Sequence, residues 1–165
     1  VGNFGDGMEH LDSRGFSPLV KSSIASGLPF LGICLGMQML LDSSEEAPGV
    51  QGLSVFKGKV KRFPECGEKI PHMGWNSISM PPECPYFKGV PDGSFFYFVH
   101  SYCACPEDEK VIAAKCHYIY DFAAALSLGN IFATQFHPEK SQERGLRLLK
   151  NFVEYCESKQ TGKGS

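Results

Sequence analysis

The sequence predicts an α/β fold, and three features along the chain lead to that prediction. Near the start, an apolar run over residues 29–33 is followed at once by a helical pattern over residues 35–42. In the middle, short apolar or alternating segments lie between Pro and Gly residues, as is typical of strands. Near the end, apolar side chains recur at helical spacing after Ser141. Helix-flanked strands, antiparallel strands and one closing helix together indicate the α/β class.

The first elements are expected to be a loop, a helix, a strand and a second helix. Glycines are dense in residues 1–8, so this opening segment is predicted to be a loop. Ser17 stands before Pro18, which is typical of an N-cap and first helical position, and the helix is expected to end at Gly27. The strand and second helix described above then place Cys34 at a tight turn between them.

The rest of the chain is expected to form strands and one long helix. The aromatic run over residues 95–99 is predicted to be a central strand. The other strands are expected at residues 54–56, 59–63, 75–79, 111–115, 122–128 and 131–136. Ser141 is expected to cap the last helix, and residues 158–165 are expected to be a frayed, disordered tail. The buried face of that helix is predicted to carry Leu146, Leu149, Phe152, Val153 and Cys156.

Size and composition restrict the function classes. A chain of 165 residues fits a single domain over residues 1–165, and 42% hydrophobic with 21% charged residues is ordinary for a globular protein. A net charge of −2 without a basic block argues against a nucleic-acid partner. The longest apolar run, residues 30–41, is shorter than the roughly 20 residues that a membrane span needs. No signal peptide opens the sequence, so a cytoplasmic protein without a membrane partner is expected.

The seven cysteines are odd in number and irregularly spaced, which does not suit a disulfide framework. Buried reduced thiols are therefore expected. Cys103 and Cys105 would share one face of a strand with His100 nearby, which leaves a soft-metal site open as a minor alternative. No metal and no organic cofactor is expected.

Cys34 stands between two glycines, Gly32 and Gly36, where the predicted strand turns into a helix. Glycines at these positions allow a sharp, strained turn that exposes a nucleophile above a sheet. A helix N-terminus favours the thiolate, and the backbone N–H of the next residue points at a developing oxyanion. The alternative is a buried cysteine between two glycines that pack against a helix.

A thiol nucleophile needs a base, and His137 is the best placed of the five histidines. It follows the apolar strand predicted at residues 131–136, and Glu139 two positions later would orient its imidazole. The alternative is a structural histidine at a strand end.

Several strings of residues resemble one family. GICLGMQ around Cys34 and QFHPE around His137 are similar to the class I, triad-type glutamine amidotransferases. PHMGWN at residues 71–76, YFVHSY at residues 97–102 and Lys140-Ser141 resemble, within that family, the glutaminase subunits of imidazole glycerol phosphate synthase. The resemblance covers the chain from residue 1 to about residue 156.

The resemblance implies a fold and a starting point. The family fold is flavodoxin-like, with a mixed sheet flanked by helices. Residues 1–8 resemble its oxyanion loop, which follows a strand–helix–strand unit. We therefore expect this chain to lack that first unit, and to fold poorly or be inactive alone.

The resemblance also implies roles for individual residues. Cys34 would attack the side-chain amide carbon of glutamine, His137 would carry the proton and Glu139 would hold the imidazole. The expected oxyanion and substrate contacts are Val1, Gly2, Leu35, Gln38, Ser101 and Tyr102.

The implied partner is a (β/α)8-barrel cyclase subunit in a heterodimer, which receives ammonia for histidine biosynthesis. The residues expected at its interface are His72, Met73, Trp75 and Asn76 in a partner-facing loop, together with Tyr97 and Lys140. Two alternatives remain open at this point. One is the glutaminase of another class I enzyme, such as pyridoxal phosphate, anthranilate or GMP synthase. The other is an inactive fragment that serves only as a binding module.

Overall fold

The computed structural model describes residues 2–162, and it opens with two helices. α1 spans Phe4–Ser13, with Asn3 as its N-cap, so the loop expected in the opening residues is wrong beyond Asn3. The glycines are accommodated because the helix packs closely: a Cβ added at Gly7 would lie 2.8 Å from the sulfur of Met39. Phe4 and Met8 are buried on the same face and anchor the helix. Burial of these two side chains outweighs the low helix propensity of glycine.

α2 spans Phe16–Ala25, and its N-cap is Gly15 rather than Ser17. The backbone of Gly15 is left-handed at φ 70°, which glycine adopts without strain. The hydroxyl of Ser17 donates instead to the Asp12 carboxylate and so ties α2 to α1.

The remaining elements follow in chain order. They are β1 (Phe30–Ile33), α3 (Leu35–Gln38), β2 (Ser43–Ser44), β3 (Gly58–Arg62), β4 (His72–Ser79), β5 (Phe95–His100), β6 (Tyr102–Pro106), β7 (Ile112–Tyr118), β8 (Tyr120–Leu128), β9 (Ile131–Thr134) and α4 (Gln142–Thr161). Short 3-10 turns occur at Pro85–Phe87, Glu109–Val111 and Pro138–Lys140. None of the helices in residues 2–162 is long and apolar enough to cross a membrane.

The main sheet has six strands in the order β1-β9-β8-β7-β4-β5, and β2-β3-β6 form a smaller sheet. β1 runs parallel to β9, whereas the other pairs of the main sheet are antiparallel. Alternate residues of β9 enter two different cores: Phe132 enters one, and Ile131 and Ala133 enter the other. The sheet is therefore mixed, and at β9 it has a core on both faces, as in an α/β fold.

Two strand predictions are wrong. β5 lies at the end of the main sheet and pairs only with β4 within the described chain, so it is not central. Its aromatic residues alternate between a buried face and an outer face, which an apolar run does not reveal. Residues 54–56 are not a strand; the N–H groups of Val55 and Phe56 both donate to the carbonyl of Leu40. The carbonyl groups of residues 39–41 all accept from N–H groups of residues 53–56, so they do not continue the hydrogen bonds of α3, which ends at Gln38.

α4 faces the core only partly as predicted: Phe152 packs against the core, and Leu149 and Cys156 are partly buried. Its buried residues are Gly145, Leu148 and Asn151, whereas Leu146 is 63% and Val153 54% exposed. Asn151 lies on the buried face because its side-chain amide donates to two backbone carbonyls, those of Tyr86 and Lys88. The helix continues to Thr161, so residues 158–161 are not a frayed tail. Residues 163–165 lie outside the described part of the chain.

Candidate active site

Cys34 occupies a strained turn between β1 and α3. Its φ of 53° and ψ of −105° are unusual for a residue with a side chain. The N–H of Cys34 donates to the carbonyl of Thr134 at 2.7 Å, and its own carbonyl accepts from Met37 and Gln38. These bonds hold the turn in a geometry like that of a nucleophile elbow, and strained residues of this kind cluster at functional sites.

The two flanking glycines differ in what they contribute. A Cβ added at Gly32 would lie 2.9 Å from the carbonyl oxygen of Gly36 and 3.1 Å from the nitrogen of Met37. A Cβ at Gly36 would meet nothing within 4 Å. The close approach of β1 to α3 therefore requires glycine only at position 32.

The Cys34 thiol is buried, with 5% of the residue exposed. Burial raises its pKa, and the negative charge of Glu139 raises it further. The backbone N–H of Leu35 and the side-chain amide of Gln135 both lower the pKa of this thiol. α3 is only four residues long, so these local donors, rather than a long helix, favour the thiolate.

His137 and Glu139 form a close pair. Nδ1 of His137 lies 2.6 Å from Oε1 of Glu139, in a 3-10 turn that directly follows His137. The backbone N–H of His137 donates to the carbonyl of Tyr97, and the hydroxyl of Ser141 donates to the carbonyl of His137. Nε2 of His137 is buried and has no hydrogen-bond partner within residues 2–162. The ring is thus fixed by one nitrogen while the other is available to a substrate or a nucleophile.

The parallel pairing of β1 with β9 brings these groups to one edge of the sheet. Ile33 pairs with Thr134, so Cys34 and the residues after Thr134 leave the sheet side by side. The side-chain nitrogen of Gln135 lies 3.7 Å from the Cys34 sulfur. The charge of Glu139 also acts on the thiol. In this state no hydrogen bond joins Cys34 to His137 in the described chain.

A cavity of about 410 Å³ opens beside Cys34. Of the predicted substrate contacts, the structure places five on its wall: Gly2, Leu35, Gln38, Ser101 and Tyr102. Val1 lies outside the described residues. A Cβ added at Gly2 would be 3.3 Å from the Leu35 side chain, so the backbone of Gly2 lies against that side chain.

Acidic side chains that no sequence motif indicates also line this cavity. Glu46 and Asp6 lie on its wall together with Asn3, and the carboxylate of Glu46 accepts from the N–H of Phe4 at 2.9 Å. Glu46 belongs to a polar loop without periodicity, and α1, which it contacts, was not predicted. No sequence signal therefore placed it near Cys34.

The outer face of the β4–β5 ribbon is an exposed apolar surface. Met73 is 62% and Trp75 47% exposed, and the Trp75 and Tyr97 rings meet edge to face at 6.1 Å. Phe95, which was not among the predicted interface residues, is 58% exposed and belongs to the same face. Lys140 is exposed in the turn after His137. We call Met73, Trp75, Phe95 and Tyr97 the ribbon face.

Two residues expected in a partner-facing loop point the other way. The segment is strand β4 rather than a loop, and side chains alternate across a strand. His72 is 4% exposed and stacks on Tyr118, so its prediction as an interface residue is wrong for this structure. Asn76 is partly buried, and its side chain donates to the carbonyl of His117.

The cysteine pair in β6 does not form a metal site in the part of the chain that the structure describes. Cys103 is buried and Cys105 is partly buried, and all seven cysteines are free. No group of three or more His, Cys, Asp or Glu side chains within residues 2–162 could hold a metal ion.

The fold and the site define a class I glutamine amidotransferase, and the chain belongs to that family: residues 4–156 match the family model "Glutamine amidotransferase class-I". A glutamine amidotransferase of known crystal structure has the same fold, with a TM-score of 0.71 at 19% identity, over 94% of this chain and 75% of that one.

More similar relatives carry a more specific name. The protein named imidazole glycerol phosphate synthase subunit HisH of Geobacter sulfurreducens is 53% identical over 160 residues, which cover 93% of this chain and 77% of the relative. The HisH of Methanocaldococcus jannaschii is 48% identical over 157 residues, which cover 93% of this chain and 76% of the relative.

Proposed function

We propose that the chain is the glutaminase subunit of an imidazole glycerol phosphate synthase. In this proposal it hydrolyses glutamine to glutamate and ammonia with Cys34, His137 and Glu139, and delivers the ammonia to a cyclase partner. The observation that carries the proposal is the strained Cys34 turn, which leaves the sheet beside the strand that leads into the His137–Glu139 pair. The identity to proteins named HisH supports the choice of this synthase within the family.

Glutamine would bind in the cavity beside Cys34. Its α-ammonium group suits the acidic wall of Glu46 and Asp6, and its α-carboxylate suits the region of Ser101 and Tyr102. This orientation directs the side-chain amide at the sulfur of Cys34. Because nucleophile and substrate are held together, the attack becomes effectively intramolecular.

The first half of the reaction makes a thioester. Nε2 of His137 accepts the thiol proton, and the Cys34 sulfur attacks the amide carbon. The N–H of Leu35, with the adjacent backbone at Gly2, stabilises the oxygen that becomes negative. When the tetrahedral intermediate collapses, the C–N bond breaks and His137 returns the proton, so the nitrogen leaves as neutral ammonia. Glu139 holds Nδ1 and stabilises the imidazolium between these steps.

The second half regenerates the thiol. A water molecule gives a proton to Nε2 of His137 and attacks the thioester carbon. The C–S bond then breaks, glutamate leaves, and the proton returns to the sulfur of Cys34. No metal or organic cofactor takes part in this scheme, because the thiol and the imidazole supply the nucleophile and the base.

We propose the ribbon face as the surface that binds a (β/α)8-barrel cyclase, with Lys140 at its margin. Exposed aromatic and Met side chains are enriched at protein–protein interfaces. The ribbon face continues through Val99 to the wall of the cavity at Ser101, so a partner bound there would lie next to the site of ammonia release. The proposal places the protein in the cytoplasm, where its seven free cysteines would stay reduced.

A labelling experiment tests the proposal in the full-length protein. A diazoketone analogue of glutamine should modify Cys34, and added glutamine should protect the thiol. Glutaminase activity, measured with a cyclase barrel present, should disappear in Cys34→Ser and survive in Cys66→Ser, since Cys66 is exposed. A folded protein without an adduct at Cys34, or an active Cys34→Ser variant, would overturn the proposal.

A further inference from the structure

A chain of buried and partly buried hydrogen bonds begins at β4 and ends at the wall of the cavity. Nδ2 of Asn76 lies 3.2 Å from Nε2 of His72, and Nδ1 of His72 lies 3.0 Å from Nε2 of His100. Nδ1 of His100 lies 2.9 Å from the carbonyl oxygen of Tyr102. His72 and His100 are both buried, and the scheme proposed above uses neither.

Two glutamine side chains extend this chain to the nucleophile. Nε2 of Gln38 donates to the same Tyr102 carbonyl at 3.0 Å and to Oε1 of Gln135 at 3.1 Å. Nε2 of Gln135 in turn donates to the sulfur of Cys34 at 3.7 Å. Gln135 is fully buried, so water does not replace its contacts with Gln38 and Cys34.

The chemistry of each partner fixes the direction of every bond. The Tyr102 carbonyl can only accept, so Nδ1 of His100 carries a proton and Nε2 of His100 accepts from His72. Burial lowers the pKa of His72 to about 4 and that of His100 to about 3, so both rings are neutral at physiological pH. Because Gln38 donates to Oε1 of Gln135, the amide of Gln135 presents its N–H group to Cys34 rather than its oxygen.

We propose that Gln135 is a further catalytic residue, whose side-chain N–H stabilises the thiolate of Cys34, and that Gln38 is the positioning residue that fixes the Gln135 amide. This inference rests on the proposed role of Cys34 as nucleophile. A hydrogen bond to a charged acceptor is shorter and stronger than one to a neutral acceptor. The contact of 3.7 Å to the thiol is therefore expected to tighten when the proton leaves the sulfur. The same N–H opposes the effect of burial on the pKa of Cys34.

The chain offers matched variants for a test in the full-length protein. Gln135→Met keeps the length of the side chain without a donor, and Gln135→Glu replaces the donor nitrogen by a carboxylate oxygen. Asn151→Met is the control, because Asn151 is a buried amide that donates to two carbonyls on another part of the fold. The rate of Cys34 alkylation by iodoacetamide is measured across the pH range by mass spectrometry of the Cys34 peptide.

Loss of the donor should raise the pKa of Cys34 by about one unit, since a neutral donor to an anion commonly has an effect of that size. Thiolate nucleophilicity rises with pKa with a coefficient of about 0.4 to 0.5. Gln135→Met should therefore react about three- to fourfold more slowly below the thiol pKa and about threefold faster above it. Gln135→Glu should shift the pKa further in the same direction. The plots of alkylation rate against pH for the variant and the wild type should therefore cross, which a merely structural defect would not produce.

Gln38→Met tests the positioning step. It should shift the alkylation profile in the same direction as Gln135→Met, and the double variant should shift it no further than Gln135→Met alone. Additive shifts would mean that Gln38 does not act through Gln135. Asn151→Met should keep the wild-type pH profile of Cys34 alkylation. If the Gln135 and Gln38 variants melt cooperatively and also keep that profile, the proposal is overturned.

Glutaminase activity separates this inference from the proposed function. If Cys34→Ser is inactive but the Gln135 variants keep the wild-type pH profile of Cys34 alkylation, Gln135 does not have the proposed role. The proposed role of Cys34 as nucleophile would still stand. An active Cys34→Ser variant would remove the proposed function, whatever the Gln135 variants do.

Discussion

Nδ1 of His137 lies 2.6 Å from Oε1 of Glu139, while Nε2 on the other side of the same ring is buried without a hydrogen-bond partner in residues 2–162. The carboxylate therefore fixes the tautomer with the proton on Nδ1, and it leaves a lone pair on Nε2, which in the proposed mechanism accepts the thiol proton. Glu139 also acts on Cys34, because its negative charge raises the pKa of the thiol. One carboxylate thus favours the base and disfavours the thiolate.

Glu139→Gln should separate these two effects. Without the charge, the imidazolium formed during the reaction loses its partner, and kcat should fall on the order of 10²-fold or more. The pKa of Cys34 should fall, since one cause of its elevation is removed, so alkylation of Cys34 near neutral pH should become faster. Paired glutaminase and iodoacetamide assays check both signs. The assignment of Glu139 fails if activity and alkylation rate both stay at the wild-type level.

The two glycines of the elbow should respond differently to the same substitution. Gly32→Ala places a Cβ within 2.9 Å of the Gly36 carbonyl, so β1 and α3 must separate. We expect a loss of about 1–3 kcal/mol in the free energy of unfolding, together with slower Cys34 labelling. Gly36→Ala meets nothing within 4 Å and should be neutral or slightly stabilising, because alanine favours a helix. Urea unfolding of both variants measures the difference, and equal costs would contradict this account of the turn.

The elements around Cys34 are predictable because their signals are local. The apolar strand, the glycine before Cys34 and the helical pattern after it lie within a few residues of one another. The position of His137 is predictable for the same reason, since it closely follows a buried strand. The parallel pairing of β1 with β9, which brings the two strand ends together, cannot be read from local sequence patterns. The resemblance to a family supplied that step.

Other features depend on packing that a sequence does not display. α1 forms despite Gly5 and Gly7 because it packs tightly against Leu35 and Met39. Val153 fits the apolar spacing of α4 but is exposed. Asn151 occupies the buried face instead, because its side-chain amide donates to two backbone carbonyls there. Side-chain alternation in β4 and β5 separates buried His72 from the exposed ribbon face, which becomes visible only once the strands pair.

The ribbon face should contribute most of the affinity for a cyclase barrel. Trp75→Ala and Phe95→Ala should each weaken binding by about tenfold or more, because large aromatic side chains dominate interface energetics. Both side chains are about half exposed, so the melting temperature should change little. Val153→Ala is the control, as it removes a side chain of similar exposure on α4. Titration calorimetry with the barrel measures the affinities. If Trp75→Ala and Phe95→Ala bind the barrel as tightly as the control Val153→Ala, the interface lies elsewhere.

The buried histidine pair should make folding stability depend on pH. Burial lowers the pKa of His72 to about 4 and that of His100 to about 3, whereas both take up protons near pH 6.5 when the chain unfolds. Between these values the unfolded chain binds more protons, so stability falls as the pH drops below about 6.5. The fall from pH 6.5 to 5 should be on the order of 2–3 kcal/mol.

A variant tests whether this loss of stability comes from the pair. His72→Phe removes one of the two groups and keeps an aromatic ring against Tyr118, on which His72 stacks at 4.2 Å. Its stability at neutral pH should be lower, because His100 loses a hydrogen-bond partner, but the pH dependence between about pH 5 and 6.5 should be roughly half that of the wild type. Urea unfolding at several pH values measures both slopes. A wild-type stability that stays constant over this range would show that the two rings take up protons in the folded protein over the same pH range as in the unfolded chain. That result would contradict the neutral rings on which the directed bonds from Asn76 to Tyr102 depend.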